Sequence, residues 1–393
     1  MRPWRFVLWF GTVSLLADFV YEGARAVTGP LLASLGASSL VVGVVTGAGE
    51  AAALGLRLVS GPLADRSGRF WGLSIAGYAL TIVSVPLLGV PGVLWAACVL
   101  VVAERVGKAV RSPAKDALLS HATAAIGRGR GFAVHEAMDQ IGALLGPLLV
   151  AAVLAVNGDR YGPALGMLAL PGVAALGLLV WLRARVPDPR AYEVGSAAST
   201  DRAVLVPGGR LPRLFWTYAL FTAATTAGFA TFGVLSYHLV QRGLVPVVWV
   251  PVLYAAAMGV DAVAALLTGW GYDRFGARVL MVLPVLSASA VCLAFTNTLA
   301  LVVAASLLWG AAMGVQESTL RATVADLVPS GRRATAYGLF AGVLGAASLV
   351  GGALTGALYG YSIPLLITVV AAIQAGAILL LLPVIRRRST LST

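Results

Sequence analysis

The sequence predicts an all-α membrane protein, with twelve transmembrane helices in two six-helix bundles of pseudo-two-fold symmetry. Three observations carry that expectation. The 393-residue chain is 59% hydrophobic and 11% charged, with a mean hydropathy of +0.90, whereas a soluble domain is about 45–50% apolar and about 25% charged. A folded chain of this size buries only about three quarters of its surface, so the apolar surplus needs lipid as a second solvent. The apolar residues also fall into runs of about 20, the length that crosses a bilayer. Finally, one short polar motif occurs twice, 208 positions apart.

Six runs fill the first half, at 6–34, 39–60, 70–90, 93–117, 131–156 and 161–183. Six more follow at 214–239, 245–269, 279–296, 299–326, 334–359 and 362–385. The polar stretch from Arg183 to Arg213 holds Pro187, Pro189, Ser196, Ser199, Gly208, Gly209 and six arginines. It divides the chain into an N-terminal bundle (1–183), a cytoplasmic linker (184–213) and a C-terminal bundle (214–393). Met1 to Phe10 runs into the first apolar stretch without a small-residue cleavage site, which predicts a retained helix rather than a signal peptide. The 46 glycines suit helices that approach closely in lipid.

Orientation follows from arginine placement, because translocation disfavours carrying cations across the bilayer. With the N-terminus inside, nineteen arginines occupy the termini and inner connectors, while only Arg160 and Arg242 lie in outer ones. This asymmetry requires an even number of spans and predicts a multi-pass protein of the inner membrane with both termini cytoplasmic.

The net charge of +12 does not imply nucleic acid, since the cations sit in short connectors rather than on a patch interleaved with polar and aromatic residues. Cys98 and Cys292 stand alone in apolar runs and form neither a disulfide framework nor a metal knuckle. The sequence holds no GxxxxGK[ST] phosphate loop, so direct ATP drive is not expected, and no cofactor is implied.

The repeated motif pairs Gly61, Asp65, Arg66 and Gly68 with Gly269, Asp273, Arg274 and Gly276. An internal repeat about an axis along the membrane normal puts a site between two halves at mid-depth, an arrangement that suggests transport. The stretch Gly61-Pro-Leu-Ala-Asp-Arg-Ser-Gly-Arg-Phe resembles the GxLaDrxGrk signature of the major facilitator superfamily, and Gly269-Trp-Gly-Tyr-Asp-Arg-Phe-Gly-Ala-Arg stands where that family carries a weaker copy. The resemblance spans essentially the whole chain and implies the major facilitator (MFS) fold and alternating access.

Within the motif, glycines permit tight turns while the aspartates accept bonds from a helix N-terminus or pair with arginines. Gly61, Asp65, Arg66, Gly68, Arg69, Gly269, Asp273 and Arg274 are therefore read as a conformational latch. Gly142-Ala-Leu-Leu-Gly-Pro147 is similar to the GxxxGP core of a pattern found in exporters of that family, with Val150 and Ala151 replacing the trailing glycines. Arg105 matches the arginine of an RxxQG pattern, from which Lys108 and Ala109 depart.

The ionisable residues inside the expected spans include these fourteen: Asp18, Glu22, Arg25, Glu50, Arg57, Glu104, Arg105, Lys108, Arg111, Glu136, Asp139, Asp261, Glu317 and Arg321. Facing lipid, at about 2.5–3.5 kcal/mol each, they would cost roughly 35–50 kcal/mol, far above a folded protein's stability of about 5–15 kcal/mol. They must pair or line a hydrated passage.

Their spacing agrees. Asp18, Glu22 and Arg25 share one helix face, as do Glu104, Lys108, Arg111 and Lys115, then His135 and Asp139, and then Glu317 and Arg321. Three of these stripes fall on the first, fourth and tenth spans, which the resemblance assigns to the cavity lining.

A carboxylate balanced between burial, which favours its protonated form, and a neighbouring cation, which favours its charged form, is able to exchange a proton. Asp18, Glu22, Glu136 and Asp139 are accordingly expected to couple protons. Arg25, Glu104, Arg105, Lys108, Arg111, Asp261, Glu317 and Arg321 are expected to pair with them or hold substrate. In the seventh span Trp216, Tyr218, Phe221, Thr222, Thr225, Thr226, Phe229 and Phe232 would suit a partly apolar solute.

The functional expectation is a secondary active transporter exporting a small organic solute or drug in exchange for protons. Its partners would be a small-molecule substrate, protons and the lipid bilayer, with the chain acting as a monomer. Two alternatives are carried forward: a transporter of a divalent metal or small polar ion, using the i, i+4 pair His135 and Asp139, and a non-transporting sensor or intramembrane enzyme.

Overall fold

The computed structural model describes residues 1–90, 92–124, 126–192, 211–329 and 332–389; of the expected linker, 193–210 lies outside the described residues. Those residues form fifteen α-helices joined by short connectors, with no strand among them. The first half contains α1 (Pro3–Ser34), α2 (Ser39–Gly55), α3 (Arg57–Ser67), α4 (Phe70–Leu87), α5 (Leu94–Ala124), α6 (Arg128–Val156), α7 (Tyr161–Met167) and α8 (Ala169–Arg185). The second contains α9 (Arg213–Ala227), α10 (Phe232–Gln241), α11 (Trp249–Phe275), α12 (Val282–Ala294), α13 (Leu299–Leu327), α14 (Arg333–Tyr361) and α15 (Ile363–Ser389).

Ten helical runs among the described residues are long and apolar enough to cross a bilayer. The difference from twelve has two sources. The apolar part of α5 is interrupted by Glu104, Arg105, Lys108 and Arg111, and α11 continues through a 3-10 turn into α12 as one stretch, Trp249–Ala294.

Three expected spans are each two helices. Gly55 ends α2 within the first of them. The α7–α8 break falls at Leu168, where Pro171 lacks the N–H that would bond the Met167 carbonyl. The α9–α10 break falls at Gly228–Thr231, and the Thr231 hydroxyl caps α10 by accepting the Val234 N–H.

Taken over the described residues, the chain forms two compact units. The first comprises Met1–Leu35, Ala52–Asp201 and Val247–Ala255; the second comprises Gly36–Ala51, Arg202–Pro246 and Ala256–Thr393. At the centre of the first unit Phe6, Phe10, Val13 and Ala17 of α1 pack with Trp71, Tyr78 and Ile82 of α4, Leu118 and Leu119 of α5, and Leu179 and Leu182 of α8.

Glycine sets how near its helices come. A Cβ on Gly142 would strike the Leu15 carbonyl, and one on Gly146 would strike the Phe19 carbonyl, so α6 lies backbone to backbone on α1. Gly77 and Gly107 do the same for α4 and α5, where each added Cβ would come within 2.6–2.7 Å of the other glycine's carbonyl oxygen.

In the second unit the opening turns of α2 pack on α14. A Cβ on Gly47 would lie 2.7 Å from the Ser348 carbonyl oxygen, and the Ser39 hydroxyl donates to the Gly356 carbonyl at 2.8 Å. Both copies of the repeated motif end in the same backbone turn, with Gly68 at φ +61° and Gly276 at φ +62°, a left-handed conformation that favours glycine. Large apolar side chains such as Leu170, Leu266 and Leu379 are exposed on the helices, as a lipid-facing surface requires.

Replacing Gly146 by Leu is expected to destabilise the protein by about 1–3 kcal/mol or more, because the backbone of α1 cannot yield as a side chain would. Gly177→Leu is the control, since nothing lies within 4 Å of that glycine's added Cβ. Thermal unfolding in detergent should show a lower midpoint for the first and little change for the second; equal shifts would refute this packing account.

Candidate functional site

The first unit holds a buried polar cluster built by α1, α5 and α6. The stripe Ser14, Asp18, Tyr21, Glu22 and Arg25 on α1 meets the stripe Glu104, Arg105, Lys108, Arg111 and Lys115 on α5, and α6 adds His135 and Asp139. These rows share faces because they recur at three- and four-residue spacing.

Four carboxylates are each paired with a cation. Arg111 Nη2 lies 3.8 Å from Asp18 Oδ1, and Arg25 Nη1 lies 3.4 Å from Glu22 Oε1. Arg105 Nε is 3.1 Å from Glu104 Oε2, and Lys115 Nζ is 3.3 Å from Asp139 Oδ2. The other Asp139 oxygen lies 3.2 Å from His135 Nδ1. Lys115 also donates to the Ser14 hydroxyl at 3.2 Å, tying α5 to α1 and α6 at one point. The second oxygen of Glu104 is buried without a hydrogen-bond partner among the described residues.

Tyrosines complete the cluster. The Tyr21 ring is faced by three cations, with Lys108 Nζ 4.1 Å and the Arg105 and Arg111 guanidinium carbons each 5.6 Å from its centroid. Lys108 also donates to the Tyr21 hydroxyl at 2.6 Å. Arg111 donates to Thr81 Oγ1 at 2.7 Å and stacks 4.8 Å over Tyr78. The hydroxyl of Tyr254, at the start of α11, donates to Glu22 Oε2. Such cation–π contacts are worth most when desolvated, as these are.

Asp18, Glu22, Arg25, Glu104, Arg105, Lys108, Arg111, His135 and Asp139 are thus brought together, and Lys115 joins them. Glu136 is not: its side chain is exposed, while neighbouring His135 is buried. Asp261 is buried in the second unit, where its Oδ1 would lie only 2.9 Å from a Cβ on Gly314. Glu317 and Arg321 are exposed on α13. Of the latch residues, Asp65, Arg66, Gly68 and Arg69 are exposed where α3 ends and Gly61 is half-buried. In the second copy Gly269 is half-buried, Asp273 is exposed, and Arg274 stacks 6.0 Å over Trp270.

Two of the seventh-span residues are tied into the second unit by hydrogen bonds. The Tyr218 hydroxyl donates to the Leu320 carbonyl at 2.9 Å, and the Thr225 hydroxyl to Gln374 Oε1 at 2.8 Å. Among the described residues no group of three or more His, Cys, Asp or Glu side chains is arranged to hold a metal ion. Sequence reasoning gave no role to Tyr21, Tyr78, Tyr254, Ser14 or Thr81. Tyr21 was findable, since it lies on the Asp18 and Arg25 face; Tyr254 carries no local signal, being far away in the chain.

A family profile described as Major Facilitator Superfamily matches residues 10–296 and 247–392. The chain is 61% identical over 381 residues to the uncharacterized protein Rv2265 of Mycobacterium tuberculosis, covering 97% of this chain and 93% of that one. It is 25% identical over 384 residues to the uncharacterized MFS-type transporter MJ1317 of Methanocaldococcus jannaschii, covering 94% and 93%. A variant of the nucleoside transporter NupG matches in structure with a TM-score of 0.78 at 14% identity, over 96% of this chain and 99% of that one. A bacterial homologue of the human lysosomal transporter Spinster, inward-facing and occupied, matches with a TM-score of 0.71 at 14% identity, over 98% and 96%. At this identity these two structures speak to the fold alone.

Removing one partner of a buried ion pair leaves an uncompensated charge, which typically costs about 3–5 kcal/mol. Lys115→Ala is expected to destabilise the protein by that order, and adding Asp139→Asn to recover much of the loss. A double-mutant cycle on unfolding midpoints checks this; simple additivity of the two losses would show that the pair is not coupled.

Proposed function

Because the chain belongs to the major facilitator superfamily, and so is a membrane transporter rather than an enzyme, we propose that it is a secondary active transporter working by alternating access, which exports a small organic solute in exchange for protons. The observation that carries this reading is the chain of paired charges on α1, α5 and α6. A carboxylate buried beside a cation has two neutral arrangements: charged and paired, or protonated with its partner turned elsewhere.

Asp139 has the parts for such an exchange, with Lys115 on one oxygen, His135 on the other, and Ser14 as a second acceptor for Lys115. Asp18 and Glu22 are paired in the same way with Arg111 and Arg25. We assign the proton-carrying role to Asp18, Glu22 and Asp139, and leave Glu136, which is exposed, outside it. Lys108, Arg105 and Arg111 around Tyr21, together with the unpartnered oxygen of Glu104, supply donors and an acceptor for a polar solute that also stacks on an aromatic ring.

Asp65, Arg66 and Arg69, with Asp273 and Arg274, are exposed at matching turns and are free to make and break ion pairs as a latch. The Gly142–Pro147 element supports export. The nineteen-to-two distribution of arginines supports cytoplasmic termini in an inner membrane. The chain is proposed to act as a monomer.

The test is flux in proteoliposomes, using solutes chosen by their thermal stabilisation of the purified protein. Solute movement should follow an imposed pH gradient and collapse with an uncoupler. In Asp139→Asn the gradient-driven part should fall roughly tenfold or more while solute-induced stabilisation persists, the signature of lost coupling rather than lost binding. Flux indifferent to gradient, uncoupler and Asp139→Asn alike would overturn the proposal.

A further inference from the structure

We propose that a cavity at the arginine-rich end of the first unit binds the headgroup of an anionic phospholipid. The cavity, of about 700 Å3, is lined by the start of α4 and the end of α8, with Arg69, Phe70, Trp71, Val180, Arg183 and Pro187 among its walls. The lining contains two guanidinium groups and no carboxylate; the acid nearest in sequence, Asp188, follows Pro187 and is not part of it. Arg69 and Arg183 are both exposed, and neither forms an ion pair with a carboxylate among the described residues. Two unneutralised cations in one recess attract an anion, and Arg pairs favour phosphate, whose oxygens match the guanidinium fork.

The walls specify more than phosphate. Trp71 is among the walls, its ring buried and its Nε1 donating to the Pro187 carbonyl at 3.1 Å, which ties the start of α4 to the segment beyond α8. Val180 is half exposed, and beside it Trp181 packs edge-on against Trp9, with ring centroids 5.6 Å apart, and carries Arg185 5.7 Å above it. Tryptophan with arginine at the end of a spanning helix marks the level where lipid headgroups meet acyl chains. The occupant therefore presents a phosphate to Arg69 and Arg183 and an apolar body to Phe70, Val180 and Pro187. A soluble phosphate makes no use of those walls, and a zwitterionic headgroup brings its own cation toward the two arginines.

This inference needs only that the chain sits in a bilayer. It gives Arg69 a ligand apart from any latch, and its readout is lipid retention, so its failure and a failure of proton coupling are distinguishable.

The test is native mass spectrometry of the purified full chain with phosphatidylglycerol, phosphatidylcholine or inorganic phosphate added. The wild type should retain phosphatidylglycerol over phosphatidylcholine by roughly tenfold. The Arg69→Gln/Arg183→Gln variant should lose that preference, and Arg69→Lys/Arg183→Lys should keep most of it. The single variants Arg69→Gln and Arg183→Gln, each with a reduced preference, carry the same test if the double variant does not fold. Equal retention of the two lipids by the wild type, an undiminished preference in the glutamine variants, or displacement of phosphatidylglycerol by equimolar inorganic phosphate would each overturn the proposal.

Discussion

An ion taken out of water costs several kcal/mol unless a partner of opposite charge meets it in good geometry, and four such pairs stand among the described residues of the first unit. Much of the first unit is arranged around that demand. Two of the pairs, Glu22–Arg25 and Glu104–Arg105, lie within one helix, while Asp18–Arg111 ties α1 to α5 and Asp139–Lys115 ties α6 to α5, so these two hold helices together as well as neutralising charge. Tyr21 stands where two of these cations, Arg105 and Arg111, converge with Lys108, and its ring and hydroxyl supply contacts that a second carboxylate would provide at greater electrostatic cost.

The two pairs that cross between helices, at 3.3 and 3.8 Å, lie among helices that glycine allows to approach closely. Gly142 and Gly146 bring α6 onto α1 one turn and two turns beyond Asp139, and Gly77 with Gly107 brings α4 onto α5 beside Arg111 and Thr81. The second unit solves a different problem with the same economy of buried polar groups. The break between α9 and α10 frees carbonyls that lipid would not satisfy. Gln374 donates to the Thr225 carbonyl at 3.0 Å and Trp309 to the Ala230 carbonyl at 2.9 Å, while Phe229 stacks on Trp309.

The membrane class and most helix positions were legible because they follow from composition and from apolar runs of about 20 residues. Interruptions were harder to read. Pro171 and Gly228 sit inside runs whose hydropathy is unbroken, so the α7–α8 and α9–α10 breaks depend on backbone bonding that an apolar count does not register. At the site, three- and four-residue spacing puts Asp18, Glu22 and Arg25 on one helix face and Glu104, Lys108 and Arg111 on another, and the structure brings these side chains into one cluster. The same geometry sets Glu136 about 100° around the helix from His135, which accounts for its exposure. Tyr254 lay beyond reach, since nothing along α11 foretells that its first turns belong with α1.

In the proposed transport cycle the buried pairs on α1, α5 and α6 are exchangeable: each carboxylate trades its cation for a proton while the fold persists. Infrared difference spectroscopy of the protein in lipid, recorded across a pH titration, tests this without knowledge of the substrate. A protonated-carboxyl absorption should grow reversibly as pH falls and lose part of its intensity in Asp139→Asn, where Lys115 and His135 no longer face a carboxylate. A titration without such an absorption before unfolding, or one unchanged by that substitution, would rule out the exchange.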